Sequence, residues 1–128
     1  MQTILLIENA PAILVARSLI LRCFGYTVLE AGSRREAWRV CRQHKGPIHL
    51  ILMQAGLDDG RSNEFVTRLK LLHPQICALF IVGELSREFS DMPCEYVLLQ
   101  TPFRADALAF AIRGLLDRTT TLAVSSLS

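Results

Sequence analysis

A three-layer α-β-α sandwich, with a five-stranded parallel sheet between two layers of helices, is the α/β fold class this sequence predicts. Three observations predict it. Short apolar runs of strand length recur at residues 3–7, 26–30, 48–54, 76–82 and 96–99. Helical stretches with start and stop signals fall between most of them. The central run, Ile48-His49-Leu50-Ile51-Leu52-Met53-Gln54, is almost unbroken in its apolarity, as a strand buried on both faces should be. Strands alternating with helices imply right-handed crossovers, and hence a parallel sheet.

The elements follow in order. The first strand ends in Glu8-Asn9-Ala10, and Pro11 sits where the first turn of a helix tolerates it. That helix runs to about Phe24 and stops at Gly25. After the second strand, Ser33 caps a second helix and Glu36 completes a capping box. This helix carries Ala37, Trp38, Val40 and Cys41 and ends near Gly46. Beyond the central strand, Asp58-Asp59-Gly60 is a turn. Ser62 or Asn63 opens a third helix, which Pro74 ends. The stretch between the fourth and fifth strands has room only for a short or irregular fourth helix. Thr101-Pro102-Phe103 leads into a last helix through about Arg118. Residues 1–118 form one domain, and 119–128 are expected to be a flexible tail or truncated linker.

The chain has 128 residues, about half of them apolar, and a formal net charge of +2. That is a globular composition, and the charge is too small to argue for nucleic acid. The arginines look scattered along the chain instead of striped. No apolar segment reaches the roughly 18 residues of a membrane span. Met1 leads directly into a strand without a basic leader region, so no signal peptide is expected. Cys23, Cys41, Cys77 and Cys94 lack metal-ligand spacing and read as buried free thiols in a reducing, cytoplasmic setting. His49 reads as a hydrogen-bonded structural residue, and His44 and His73 as helix-end residues offsetting the dipole. Trp38 reads as a packing residue, with anchoring of a partner as the alternative. No Gly-rich phosphate loop or nucleophilic constellation is present, so no catalytic residue, cofactor or metal is expected.

In parallel sheets, ligands and chemistry sit beyond the carboxyl ends of the strands, which singles out Gln54. The chain resembles the receiver domain of two-component response regulators, the chemotaxis-regulator fold. The resemblance covers about residues 3–117. It is carried by Ile4-Leu5-Leu6-Ile7-Glu8, Pro11, Phe24-Gly25-Tyr26-Thr27-Val28-Leu29-Glu30-Ala31, Glu36-Ala37, Gly46-Pro47-Ile48-His49-Leu50-Ile51-Leu52 and Leu99-Gln100-Thr101-Pro102-Phe103. It implies a flavodoxin-like receiver topology and a role in phosphorelay signalling. In such domains an aspartate ending the third strand is phosphorylated, and two acids after the first strand help hold magnesium. A Ser or Thr ends the fourth strand, and a Lys precedes the Pro after the fifth.

Glu8 matches the first acidic position, but Asn9, Gln54, Val82 and Thr101 stand at the others. An amide cannot act as the carboxylate nucleophile that an acyl phosphate requires. Magnesium prefers hard anionic oxygens. Two negative charges and one positive charge are missing together. Like charges about 4 Å apart cost roughly 4 kcal/mol at an effective dielectric near 20, so losing both signs leaves a relaxed polar edge. The expected function is that of a degenerate receiver, a phosphorylation-independent interaction or dimerisation module. The alternatives are phosphorylation on Asp58 or Asp59, and a small-ligand site in the vacated pocket.

The outer helix faces point to a protein partner, either a signalling protein or a second copy of the chain. Leu14, Val15 and Leu19 widen the apolar stripe of the first helix beyond one face. Phe103, Ala107 and Phe110 add a second stripe near the last helix. Together with the face that receivers commonly use, this gives Leu14, Leu19, Tyr96, Leu98, Phe103, Phe110 and Arg113 as candidate interface residues. Neither direct nucleic-acid binding nor membrane insertion is expected of the domain.

Overall fold

The computed structural model describes residues 1–55, 61–83 and 92–127, with side chains as far as Arg118. The elements are β1 (Thr3–Ile7), α1 (Pro11–Cys23), β2 (Thr27–Ala31), α2 (Arg34–Gln43), β3 (Leu50–Gln54), α3 (Arg61–Leu72), β4 (Cys77–Val82), β5 (Tyr96–Gln100) and α4 (Ala105–Leu127). The strands form one parallel sheet in the order β2-β1-β3-β4-β5.

The strand periodicity of two divides the core into two layers. Leu5, Ile7, Ile51, Met53, Ala78 and Phe80 face α2 and α3, where they meet Ala37, Cys41, Phe65, Val66 and Leu69. Ile4, Leu6, Leu50, Leu52, Leu79 and Ile81 face α1 and α4, where they meet Leu21, Leu108, Ile112 and Leu115. Every residue of β1 and β4 is buried, which is why those strands read as unbroken apolar runs. Burying one such side chain is worth about 1.5–3 kcal/mol.

Local chemistry sets the element boundaries. At the end of α1, Gly25 takes φ +95°, Gly25 N donates to Arg22 O at 2.9 Å and Tyr26 N donates to Leu21 O at 3.2 Å. This is the Schellman arrangement, and it requires the left-handed conformation that glycine adopts freely. At α2, Ser33 Oγ accepts from Glu36 N at 3.1 Å. The Glu36 carboxylate reaches one residue further back than a simple capping box and accepts from Gly32 N at 3.1 Å. His49 marks the entry to β3. Its N–H reaches Thr3 O at 2.9 Å, and its Nδ1 accepts from Thr3 N at 2.9 Å.

Several details differ from the sequence expectations. The last helix continues to Leu127, past Arg118. No Gly or Pro follows Gly114, and Thr, Ser and Val each cost a helix only tenths of a kcal/mol, too little to end it. His73 does not serve the helix dipole from the surface. It is buried, Nδ1 accepts from Ile48 N at 3.3 Å, and Nε2 lies 3.1 Å from Cys41 O, so the ring ties α2, α3 and the start of the central strand together. All four cysteines are free, but only Cys41 and Cys77 are buried; Cys94 is half-buried, and Cys23 is exposed because it lies on the outer side of α1. Burial pushes the Cys41 thiol up to about 11 and, chiefly for the same reason, the Cys94 thiol up to about 12. The Asp58-Asp59-Gly60 turn and the short helix expected before β5 fall largely outside the described residues.

Candidate functional site at the carboxyl edge of the sheet

The strand order reverses between β1 and β3, because β2 lies to one side of that pair and β4 to the other. Such a switch point opens a crevice beyond the carboxyl ends of the strands. Glu8 and Gln54 stand at its two sides, since Ile7 pairs with Met53 in the register. Val82 ends β4, and Thr101 follows β5. The fold therefore brings Glu8, Asn9, Gln54, Val82 and Thr101 to the same edge of the sheet.

Their side chains are not equivalent. Glu8 is buried. Its Oε2 accepts from Arg17 Nη1 at 2.8 Å, and its Oε1 accepts from Ala10 N at 3.1 Å. Both carboxylate oxygens are thus committed inside the protein. Glu8 lies just before α1, where the helix dipole also favours the negative charge. Asn9 and Gln54 are exposed. Val82 is buried, and its carbonyl accepts from Thr101 N at 2.9 Å and from Thr101 Oγ1 at 3.4 Å. The Thr101 hydroxyl is thereby turned back onto β4. Gln100 Nε2 donates to Gly83 O at 3.3 Å and fastens the neighbouring loop start.

The described side chains at this edge do not fit magnesium. Glu8 supplies one carboxylate already bound to a guanidinium, and the amides of Asn9 and Gln54 carry no charge. A small hard cation loses tightly held water on binding and needs anionic oxygen in exchange. Among the described residues, no group of three or more His, Cys, Asp or Glu side chains is placed to hold a metal ion. Asp58 and Asp59 lie outside the described residues.

Arg17 is the site residue that sequence reasoning missed. One signal pointed to it, because a charged residue in an otherwise apolar helix needs a partner. Which carboxylate it meets depends on how α1 rotates over β1.

The candidate interface residues divide. Leu14 and Phe103 are partly buried and pack on the core layer shared by α1 and α4. Tyr96 and Leu98 pack on the opposite layer, where the Tyr96 ring meets Phe80 edge-on at 6.2 Å. Arg113 lies 5.6 Å from the centre of the Tyr26 ring and pairs with Asp117 at 3.8 Å. Only Leu19 and Phe110 of the seven present most of their surface to solvent as apolar groups, at 57% and 83% exposure. Val15 joins them at 56%. No described helix is long and apolar enough to cross a membrane.

No protein-family model matches the chain. The chain is 25% identical over 119 residues to the sensor kinase CckA of Brucella abortus (strain 2308), covering 91% of this chain but only 13% of that protein's length. Among solved structures, a response regulator receiver domain protein from Clostridium thermocellum superposes with a TM-score of 0.76 at 20% identity, covering 95% of this chain and 99% of that one. The chemotaxis protein CheY4 of Vibrio cholerae gives a TM-score of 0.71 at 19% identity, covering 91% and 99%. The receiver domain of the hybrid histidine kinase CckA gives 0.68 at 22% identity, covering 89% and 98%.

Proposed function

We propose that this chain, which has the receiver-domain fold, is a two-component receiver that no longer accepts a phosphoryl group and works as a non-enzymatic protein-interaction module in the cytoplasm. The observation that carries the proposal is the commitment of Glu8. Its two oxygens are held by Arg17 and Ala10 N, and an amide, Gln54, ends the strand where the fold would place a nucleophile. Val82, which ends β4, has no hydroxyl to follow a phosphoryl group, and the Thr101 hydroxyl donates to Val82 O. The conformation is then set by whatever binds the surface.

The partner is a signalling protein or a second copy of the chain. The exposed apolar surface of Val15 and Leu19 on α1 and of Phe110 on α4 supports this, since both helices lie on the same layer of the sheet. Isothermal titration with magnesium tests the loss of the site. The proposal expects only heats of dilution up to millimolar magnesium. Saturable binding that disappears in Glu8→Gln would defeat it.

A further inference from the structure

Arginines that look scattered in the sequence converge in space. A groove of about 350 Å³ between α2 and α3 is lined by Arg34, Arg35, Arg61 and Arg68, with Glu64 as the one acidic residue among the described residues that line it. We propose that this groove binds a small ligand carrying a phosphate or pyrophosphate group, at a position distinct from the crevice at the carboxyl edge of the sheet.

Arg34 and Arg35 stand in the first turn of α2, and Arg61 opens α3. Those are the positive ends of two helix dipoles, where anions are favoured and cations are not. Among the described residues, no carboxylate lies within ion-pairing distance of Arg35, Arg61 or Arg68. An anion at this place would be met by guanidinium groups and by both dipoles.

Two of the four guanidinium groups are also held in place by aromatic rings. The Arg68 guanidinium lies 5.0 Å from the centre of the Trp38 ring, and that of Arg34 lies 5.8 Å from the centre of the Phe65 ring. Arg34 Nη2 further donates to Ser62 Oγ at 3.3 Å. Stacking on Trp38 fixes the plane of the Arg68 guanidinium while leaving its N–H edges for an oxyanion, and arginine's fork matches phosphate oxygens in pairs. It also covers one face of Trp38, which argues for recognition of the anion over stacking of a base. The volume lies at the low end of the roughly 300–1,000 Å³ of small-ligand sites. A concave site of that size suits a compact phosphorylated molecule better than an extended acidic segment.

Trp38 is the only tryptophan in the chain, so its emission reports directly on the groove. The full chain would be titrated with inorganic pyrophosphate at constant ionic strength, with calorimetry in parallel to register binding that leaves the emission unchanged. The proposal expects saturable binding, weakened at least tenfold in Arg35→Gln/Arg61→Gln and unchanged in Arg104→Gln, an exposed arginine outside the groove. Circular dichroism confirms that each variant is folded, and Arg68→Lys, which keeps the charge but loses the fork, is expected to bind more weakly than wild type. The absence of saturable binding by both methods, or equal binding in Arg35→Gln/Arg61→Gln, would overturn the proposal. So would binding of a hexaglutamate peptide in place of pyrophosphate, which would make the groove a docking face for an acidic protein.

Discussion

Arg17 Nη1 lies 2.8 Å from Glu8 Oε2, across the turn that joins β1 to α1, with the two side chains 17% and 3% exposed. The ion pair converts the one acidic group among the described residues at the switch point into an internal fastening. A carboxylate held in this way anchors the start of α1 and is poorly placed to hold a cation.

Arg17→Met is therefore expected to lose about 3 kcal/mol in urea denaturation, because it leaves the buried Glu8 carboxylate without its partner. Glu8→Gln/Arg17→Met should recover most of that loss, since no uncompensated charge remains. Equal stability of Arg17→Met and wild type would mean that the pair contributes nothing.

The sheet was legible in the sequence because strands buried on both faces must be apolar throughout, as β1, β3 and β4 nearly are. The placement of Glu8 and Gln54 at one edge of the sheet was legible too, since it follows directly from where β1 and β3 end. What depended on helix rotation or packing was not legible. Arg17 meets Glu8 only once α1 is laid over β1, and Arg61 and Arg68 meet Arg34 and Arg35 only once α3 lies beside α2. The continuation of α4 to Leu127 was missed because residues with weak helix propensity resemble a tail when no tertiary context is considered.

His49 is expected to give the fold a pH dependence. Burial lowers its pKa from the ordinary 6.5, and Nδ1 needs a neutral ring to accept from Thr3 N. With the folded value below the unfolded one, the contribution is fully present above the unfolded value. It is lost as pH falls through 6.5 and then through the folded pKa, because the unfolded chain takes up the proton first. Urea midpoints measured between pH 7.5 and 5 should fall more steeply for wild type than for His49→Gln. Parallel profiles would show that His49 is not responsible.

Phe110 is 83% exposed on the same layer as Leu19 of α1. If this surface closes against a partner or a second copy, burying the ring contributes about 1.5–3 kcal/mol, roughly 10- to 100-fold in dissociation constant. Sedimentation velocity across a concentration series should show self-association or complex formation that weakens in Phe110→Ser. The fold itself should be unaffected, since the ring touches little of the core. Unchanged association in Phe110→Ser would place the interface elsewhere.

The proposed loss of phosphoryl acceptance is tested most directly by the intact mass of the chain after incubation with acetyl phosphate and magnesium. The account predicts a mass identical to that of the untreated protein. An acid-labile adduct approaching one phosphoryl group per chain would contradict it.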